Sequence, residues 1–263
     1  MTRPLIDVAA PVGGWQRPWP AVAELATVLP SEHWTLVGGL MTQLHAIHHG
    51  LGVVRPTNDV DIVLHIETSR GVPGETARAL KSLGYELRLS VDPRDNTAHR
   101  FIRGRDVVDL VTSTAEADDR GDVIDVLISD HAAPSVTERL LGRDMVRMAG
   151  GTQALRRTVN ARLRIVPGEE TVVSVPRPFG ALVLKAAAYR ADRRDRGRHL
   201  TDAAALLACV EDPITERGGF SGSDRKRILM LKEILADDHV AWLDLPEAAR
   251  QEARAALRLL AQG

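Results

Sequence analysis

The strongest constraint in this sequence is a stretch in which a short strand, two glycines, a helix and a second strand follow one another closely. The first strand stops at Gly38 and Gly39, helical spacing follows, and an apolar strand runs over residues 60–64. Asp59 and Asp61 stand at the start of that second strand. Because alternate residues of a strand point to the same face, the two carboxylates project together while the apolar residues face a core.

Two neighbouring carboxylates repel each other, and the pattern therefore predicts a compensating cation. Mg²⁺ prefers oxygen ligands from one or two carboxylates together with substrate phosphates, and two such ions form the usual clamp for displacement at phosphorus. Asp59 and Asp61 are the predicted ligands. Gly38 and Gly39 fit the same chemistry, because a glycine pair before a helix lets the backbone approach a phosphate.

Composition excludes several classes of protein. The chain has 263 residues, 44% hydrophobic and 26% charged, which is globular rather than disordered or fibrous. No apolar run approaches the 18 or so residues of a membrane span, and the first residues lack the apolar core of a secretory signal. The single cysteine, Cys209, excludes an intramolecular disulfide framework. We expect a cytoplasmic protein with no membrane partner.

The order of predicted elements divides the chain into three regions. Strands and helices alternate over residues 1–145, which predicts an α/β (α+β) domain with a mixed sheet and an irregular N-terminal arm. Residues 146–178 are predicted as a β-ribbon connector, with a turn at Pro167 and Gly168. Residues 179–263 show helical periodicity and predict a C-terminal helical domain.

The Gly-Gly pair, the helix and the run Arg-x-Thr-x-Asp-x-Asp at residues 55–61 resemble the signature of the nucleotidyltransferase superfamily. More narrowly, they are similar to the AbiEii/MenT-type toxin nucleotidyltransferases of toxin–antitoxin and phage-defence systems. The resemblance implies a mixed sheet flanked by helices and transfer of a nucleoside monophosphate from an NTP, with Mg²⁺ required. It also implies the 3′ end of tRNA as acceptor and a cognate antitoxin protein as partner.

The superfamily pattern has a third carboxylate on a neighbouring strand, and the sequence offers two. Asp109 and Asp125 both lie among apolar residues, where a carboxylate is costly unless it is paired or bound to metal. Asp109 is favoured as the third metal ligand, because its segment follows residues 99–103 as an antiparallel neighbour would. Asp125 stays open as the alternative.

A second cluster lies in the helical region. Lys185 and Tyr189 are four residues apart on one helix and share a face, and Asp202 begins the next helix. Toxin-type relatives carry a lysine and an aspartate at the matching places. The resemblance therefore implies that Lys185 neutralises the triphosphate and that Asp202 orients either Lys185 or the base of the NTP. Tyr189 and Thr57 are placed with the NTP-binding residues.

The segment between these two helices is basic. Residues 182–200 hold six basic and two acidic side chains, although the whole chain has a net charge of −1. Such a loop beside an active site suits a polyanion, and a solvated charged loop is the alternative. The candidate RNA-binding residues are Arg190, Arg193, Arg194, Arg196 and Arg198.

Two other functions are compatible with the sequence. A nucleotidyltransferase acting on a small cationic acceptor such as an aminoglycoside would need an acidic cleft, and residues 106–130 carry eight acids against one base. A catalytically silent nucleotide- or protein-binding module is the second alternative. The intact pair Asp59 and Asp61 argues against that module.

Overall fold

The computed structural model describes residues 3–52, 55–90, 92, 94–104 and 121–262, and their strands form three sheets. In chain order the strands are β1 (Leu5–Asp7), β2 (Trp34–Val37), β3 (Asp59–Leu64), β4 (Glu86–Leu87), β5 (Thr97–Ala98), β6 (Arg100–Arg103), β7 (Asp122–Ser129), β8 (Asp144–Met145), β9 (Arg147–Met148), β10 (Thr158–Leu163) and β11 (Thr171–Pro176). The main sheet has the order β2-β3-β7-β6-β4, with β9 beside β7. Its central strands β3 and β7 are parallel, and β2 and β6 flank them in antiparallel pairing.

A smaller sheet contains the N-terminal segment. Its order is β1-β10-β11, with β1 parallel to β10 and β10 antiparallel to β11. The N-terminal arm, predicted as irregular, thus contributes a strand. Its pairing extends one residue further, because the Val8 amide donates to the Arg162 carbonyl. β5 and β8 form a separate two-stranded pair.

Helices cover these sheets and make up the C-terminal region. In chain order they are α1 (Trp19–Val28), α2 (Gly38–His48), α3 (Val72–Ser82), α4 (Gly151–Leu155), α5 (Pro178–Ala191), α6 (Gly197–Ala208), α7 (Pro213–Gly218), α8 (Asp224–Ile234) and α9 (Glu247–Ala261). α5 and α6 pack against each other, and α9 covers α6. α2 contacts both β3 and α6, so it joins the main sheet to the helical region.

Mixed sheets with flanking helices confirm the α/β (α+β) class. The core is continuous from the main sheet into the helices, and Trp34, Phe101 and Phe179 are all fully buried in it. Burying each such side chain contributes roughly 1.5–3 kcal/mol. In the described residues, no helix has the length and apolar character that crossing a membrane requires.

Most predicted elements are present, and the differences have local causes. The sequence pattern predicts a helix over residues 75–83, and α3 begins earlier, at Val72, because Pro73 is tolerated in a first turn. Residues 146–178 are not a ribbon throughout, since β9 joins the main sheet and α4 precedes the ribbon. The five-residue α4 and six-residue α7 are too short for periodicity to reveal. The apolar pattern around Asp109 predicts a further strand over residues 107–112, and that segment lies outside the described residues.

Candidate active site

Three aspartates meet at one end of the main sheet. Asp59 and Asp61 lie on β3, and the parallel register of β3 with β7 places Asp125 directly beside Asp61. Asp125 is buried, at 7% exposure, whereas the Asp59 side chain is 41% exposed. The structure therefore supplies Asp125 as the third carboxylate. Asp109, the residue favoured from the sequence, lies outside the described residues.

Burial and mutual repulsion raise the pKa values of Asp59 and Asp61 in this group. Burial, followed by the nearby charge of Asp125, raises the pKa of Asp61 to about 6. Burial also raises the pKa of Asp59, although Arg100 opposes the shift. The charged forms of these side chains are incompletely compensated, and a cation close to them would stabilise them.

Arg100 on β6 is the cation nearest to this group in the described part of the chain. Its Nε and Nη2 atoms donate to the two carboxylate oxygens of Asp125 at 2.8 and 2.7 Å. Nη2 also lies 3.6 Å from Oδ2 of Asp59. The planar guanidinium thus forms a two-pronged pair with one carboxylate and reaches a second.

The two glycines make room for side chains of the protein itself. Gly38 has φ +68°, and a Cβ there would lie 1.8 Å from Oδ2 of Asp61. A Cβ on Gly39 would lie 2.7 Å from Oγ1 of Thr57. Both distances are far below contact, so any larger residue would displace Asp61 or Thr57. The glycines also form the first turn of α2, whose N-terminus faces the same cleft.

On the far side of the cleft, Lys185 and Asp202 form a buried pair. The Lys185 Nζ lies 2.7 Å from Oδ2 of Asp202, and the two residues are 5% and 1% exposed. Arg55 donates to both oxygens of Asp202, each at 3.2 Å. Burial alone would raise the pKa of Asp202, but Lys185 and Arg55 together hold it below its ordinary value. Asp202 therefore stays charged and fixes the position of the ammonium.

Hydrogen bonds from α1 and α2 hold the loop that carries Arg55. Gln43 on α2 donates its side-chain amide to the Arg55 carbonyl at 2.8 Å. The Trp19 indole N–H donates in turn to Gln43 Oε1 at 3.2 Å. This chain of contacts positions the loop directly before Asp59.

A single cleft of about 320 Å³ joins the two clusters. The residues that line it are Gly38, Gly39, Met41, Arg55, Thr57, Asp59, Asp61, Arg100, Asp125, Met148, Ala149, Leu184, Lys185, Ala188, Ala191, Arg198 and His199. Carboxylates lie on the sheet side and the lysine lies on the helical side. The cleft can therefore hold a cation against one wall and an anion against the other.

The turn between α5 and α6 carries the basic residues at the mouth of the cleft. Asp192 organises it, accepting hydrogen bonds from the amides of Arg194 and Asp195 and from the side chains of Arg198 and His199. These bonds hold the pKa of Asp192 far below its ordinary value. The exposed arginines of the turn and of the helix ends beside it, together called the basic turn, are Arg190, Arg193, Arg194, Arg196 and Arg198.

Among the predicted catalytic and NTP-binding residues of the described chain, Tyr189 and Asp202 do not line the cleft. Asp202 contacts Lys185 from behind the lining, whereas the Tyr189 ring is half-buried against the core with the Arg196 guanidinium over it at 5.6 Å. Tyr189 thus contacts the basic turn, and Lys185, four residues earlier, lines the cleft. Of the five candidate RNA-binding arginines, Arg198 is the one in the lining.

The donor set fits Mg²⁺ in chemistry. Asp59 and Asp61 offer carboxylate oxygens whose charge is only partly compensated, which suits such an ion when substrate phosphates supply further ligands. Within the described ranges, no group of three or more His, Cys, Asp or Glu side chains is already arranged to hold a metal. Asp125, the natural third donor, is engaged by Arg100.

Sequence reasoning missed Arg55 and Arg100 as site residues. Arg55 stands within the recognised run, but its partner Asp202 is 147 residues away in the sequence. Arg100 had a usable signal, because strand alternation over residues 100–103 and antiparallel pairing with β7 place it opposite Asp125.

Protein-family models, curated sequences and solved structures were each compared with this chain, and none of them matches it.

Proposed function

We propose that this chain is a Mg²⁺-dependent nucleotidyltransferase that moves a nucleoside monophosphate from an NTP to an acceptor. The observation that carries the proposal is the cleft itself: Asp59, Asp61 and Asp125 share one wall, and the buried Lys185 faces them. Catalysis of nucleotidyl transfer depends mainly on positioning the reactants and on stabilising the charge that develops on the phosphates. The arrangement provides both.

Each residue has a role in this reaction. Lys185, fixed by Asp202, binds the triphosphate and stabilises the charge that develops on the departing pyrophosphate. Asp59 and Asp61 would hold Mg²⁺ with Asp125 as the third ligand, and the bound ion would neutralise the phosphates and activate the attacking oxygen. Asp125 would also take the proton of the acceptor hydroxyl. A bond forms between that oxygen and the α-phosphorus as the bond to pyrophosphate breaks.

The basic turn favours RNA as the acceptor. Its arginines are exposed, Asp192 fixes the turn, and Arg198 reaches the cleft lining. A cluster of this kind suits successive phosphates of a nucleic acid, and the 3′ end of tRNA carries the hydroxyl that the reaction needs. We therefore propose tRNA as the acceptor.

The described acids of residues 106–130 argue against a cationic acceptor. Asp122 is paired with Arg17 and Arg103, and Asp125 with Arg100. Asp130 accepts hydrogen bonds from the amides of Gly150 and Thr152 at 2.7 and 3.0 Å. These carboxylates are engaged within the fold, so they do not form a free acidic surface for an aminoglycoside.

The test is transfer of label from each α-labelled NTP, with Mg²⁺, to total tRNA. Asp59→Asn and Lys185→Met should each lower transfer by about 100-fold or more, since each removes charge stabilisation from the reacting phosphates. Asp238→Asn and Lys81→Met are matched controls, because both side chains are exposed and lie outside the cleft lining. Label on an aminoglycoside and not on tRNA would support the small-molecule alternative. Absence of transfer to any acceptor would support the silent binding module.

The proposed cellular role is that of a toxin restrained by an antitoxin protein. Expression of the wild-type chain alone should then arrest bacterial growth, and Asp59→Asn should not. Equal growth of the two strains at equal protein level would contradict this role while leaving the enzymatic proposal untouched.

A further inference from the structure

We propose that Arg100 is a built-in counter-ion that competes with the metal ion for Asp125 and so sets the metal affinity of the cleft. The inference rests on the proposed function, in which the aspartates hold Mg²⁺. It deepens that function by assigning a regulatory task to a residue that belongs to no predicted motif.

The salt bridge between Arg100 and Asp125 places a positive charge where a metal ion would bind. Arg100 engages both oxygens of Asp125 at 2.8 and 2.7 Å and approaches Asp59 to 3.6 Å. A guanidinium in this position neutralises the carboxylates that a divalent cation would otherwise neutralise. A metal ion that binds Asp125 therefore competes with Arg100 for the charge and the lone pairs of these two oxygens.

The Arg100 side chain can also release Asp125. Its side chain is 42% exposed, whereas the cation on the other wall, Lys185, is 6% exposed. Among the described residues its guanidinium has no hydrogen-bond acceptor apart from Asp125. The side chain can therefore turn toward solvent or toward a bound phosphate without moving strand β6.

Competition of this kind lowers the apparent affinity for metal. Only the fraction of molecules in which Arg100 has released Asp125 binds the ion at full strength, so the apparent dissociation constant rises by the inverse of that fraction. A triphosphate gives the released guanidinium a new partner. Metal and nucleotide should consequently help each other to bind.

The direct test is Mn²⁺ binding, followed by the loss of the free-ion EPR signal, since Mn²⁺ accepts the same oxygen ligands as Mg²⁺. Arg100→Gln should bind Mn²⁺ about 10-fold more tightly than the wild type, a typical coupling between sites. Arg100→Lys keeps the charge but not the two-pronged geometry, and it should also bind more tightly. The matched control is Arg103→Gln, on the same strand and paired with Asp122 on β7, and its affinity should stay at the wild-type value.

A second readout is the melting temperature. Without metal, Arg100→Gln should melt below the wild type because Asp125 loses its partner, and the gain on adding Mn²⁺ should be larger in the variant. Equal Mn²⁺ affinities in the wild type and Arg100→Gln would overturn the inference. Wild-type Mn²⁺ affinity in Arg100→Lys would show that only the positive charge matters and would overturn competition through the two-pronged contact. If the wild type still transferred label to tRNA, the proposed function would survive either result. If neither protein bound Mn²⁺ or transferred label, both proposals would fall.

Discussion

Gly38 is the residue at which the backbone and the candidate site depend on each other most directly. Its positive φ ends β2 and begins α2 within one residue, and the missing side chain leaves the space that Asp61 occupies. A Cβ at this position meets a carboxylate oxygen rather than solvent. The same residue therefore serves the turn and the position of the predicted metal ligand.

We predict that Gly38→Ala abolishes nucleotide transfer and lowers the free energy of unfolding by about 2–5 kcal/mol. The left-handed backbone costs roughly 1–2 kcal/mol for a residue with a Cβ, and the clash with Asp61 adds roughly 1–3 kcal/mol. Urea unfolding and the transfer rate measure the two effects. The matched control is Gly50→Ala, which has φ +71° and no atom within 4 Å of the new Cβ. If both variants lost the same stability and kept activity, the close approach at Gly38 would have no consequence.

The raised pKa of Asp61 predicts how stability changes with pH in metal-free protein. A carboxyl that titrates at about 6 when folded and near 3.8 when unfolded binds more protons in the folded state between those values. Its contribution to stability therefore falls as pH rises from about 4 to above 6, by at most ~3 kcal/mol. The melting temperature of Asp61→Asn should therefore rise relative to that of the wild type as the pH increases across this range. Saturating Mg²⁺ should remove the pH dependence of this difference in melting temperature. A difference between variant and wild type that stays constant with pH in metal-free protein would contradict the prediction.

At the scale of elements, the parallel pairing of β3 with β7 decides the composition of the site. Alternation along residues 59–64 was enough to predict that Asp59 and Asp61 share a face. The choice of a third carboxylate was not predictable, because it depends on which strand pairs with β3 and in what register. That register places Asp125 beside Asp61.

Local patterns predicted the helices around the site, and tertiary contacts supplied what the patterns lacked. Helix α2 follows from spacing within one element, whereas the resemblance, and not spacing, implied the pair Lys185 and Asp202. The contact of Arg55 with Asp202 joins a loop to a helix far along the chain, and no local signal carries it. Tyr189 was expected beside Lys185 in the cleft because residues four apart share a helix face. That spacing does not show which neighbouring element packs against each residue of the face.

The turn between α5 and α6 should govern the acceptor and not the nucleotide. The double variant Arg193→Gln, Arg194→Gln is expected to raise KM for tRNA and to reduce its dependence on salt by about one unit of slope per lost phosphate contact. KM for the NTP should stay unchanged. Arg225→Gln, an exposed arginine on α8, is the control. A change in KM for the NTP alone would contradict RNA binding at this turn.

At the scale of the whole molecule, one buried ion pair ties the β-ribbon region to the C-terminal helices. Arg157 immediately precedes β10, and its Nη2 donates at 2.7 Å to Asp224, the first residue of α8. Asp224 is fully buried and also accepts the Ser221 amide at 2.9 Å. The pair thus fixes the β-ribbon to the helical region, which carries Lys185 on its wall of the cleft.

Removing one partner of this pair should weaken the whole fold. Asp224→Ala is predicted to lower the free energy of unfolding by about 3–5 kcal/mol, because it leaves a buried guanidinium without a carboxylate. The double variant Arg157→Met, Asp224→Leu should recover much of that loss, since it removes both charges. Urea denaturation of the three proteins measures both effects. A loss below about 1 kcal/mol in the single variant would show that water replaces the carboxylate.

The charges of the chain sum to almost zero and yet are separated across the cleft. Carboxylates stand on the sheet side, and Lys185 with the basic turn stands on the helical side. This polarity suits a substrate that presents a metal-bound phosphate chain to one wall and a nucleic acid to its mouth.

The central claim is tested most directly by following the fate of two labels in one NTP. With Mg²⁺ and tRNA, label on the α-phosphate should enter the RNA and label on the γ-phosphate should appear in pyrophosphate, and both should cease in Asp59→Asn. Transfer of the γ-label to the acceptor, or α-label transfer that survives Asp59→Asn, would contradict the account.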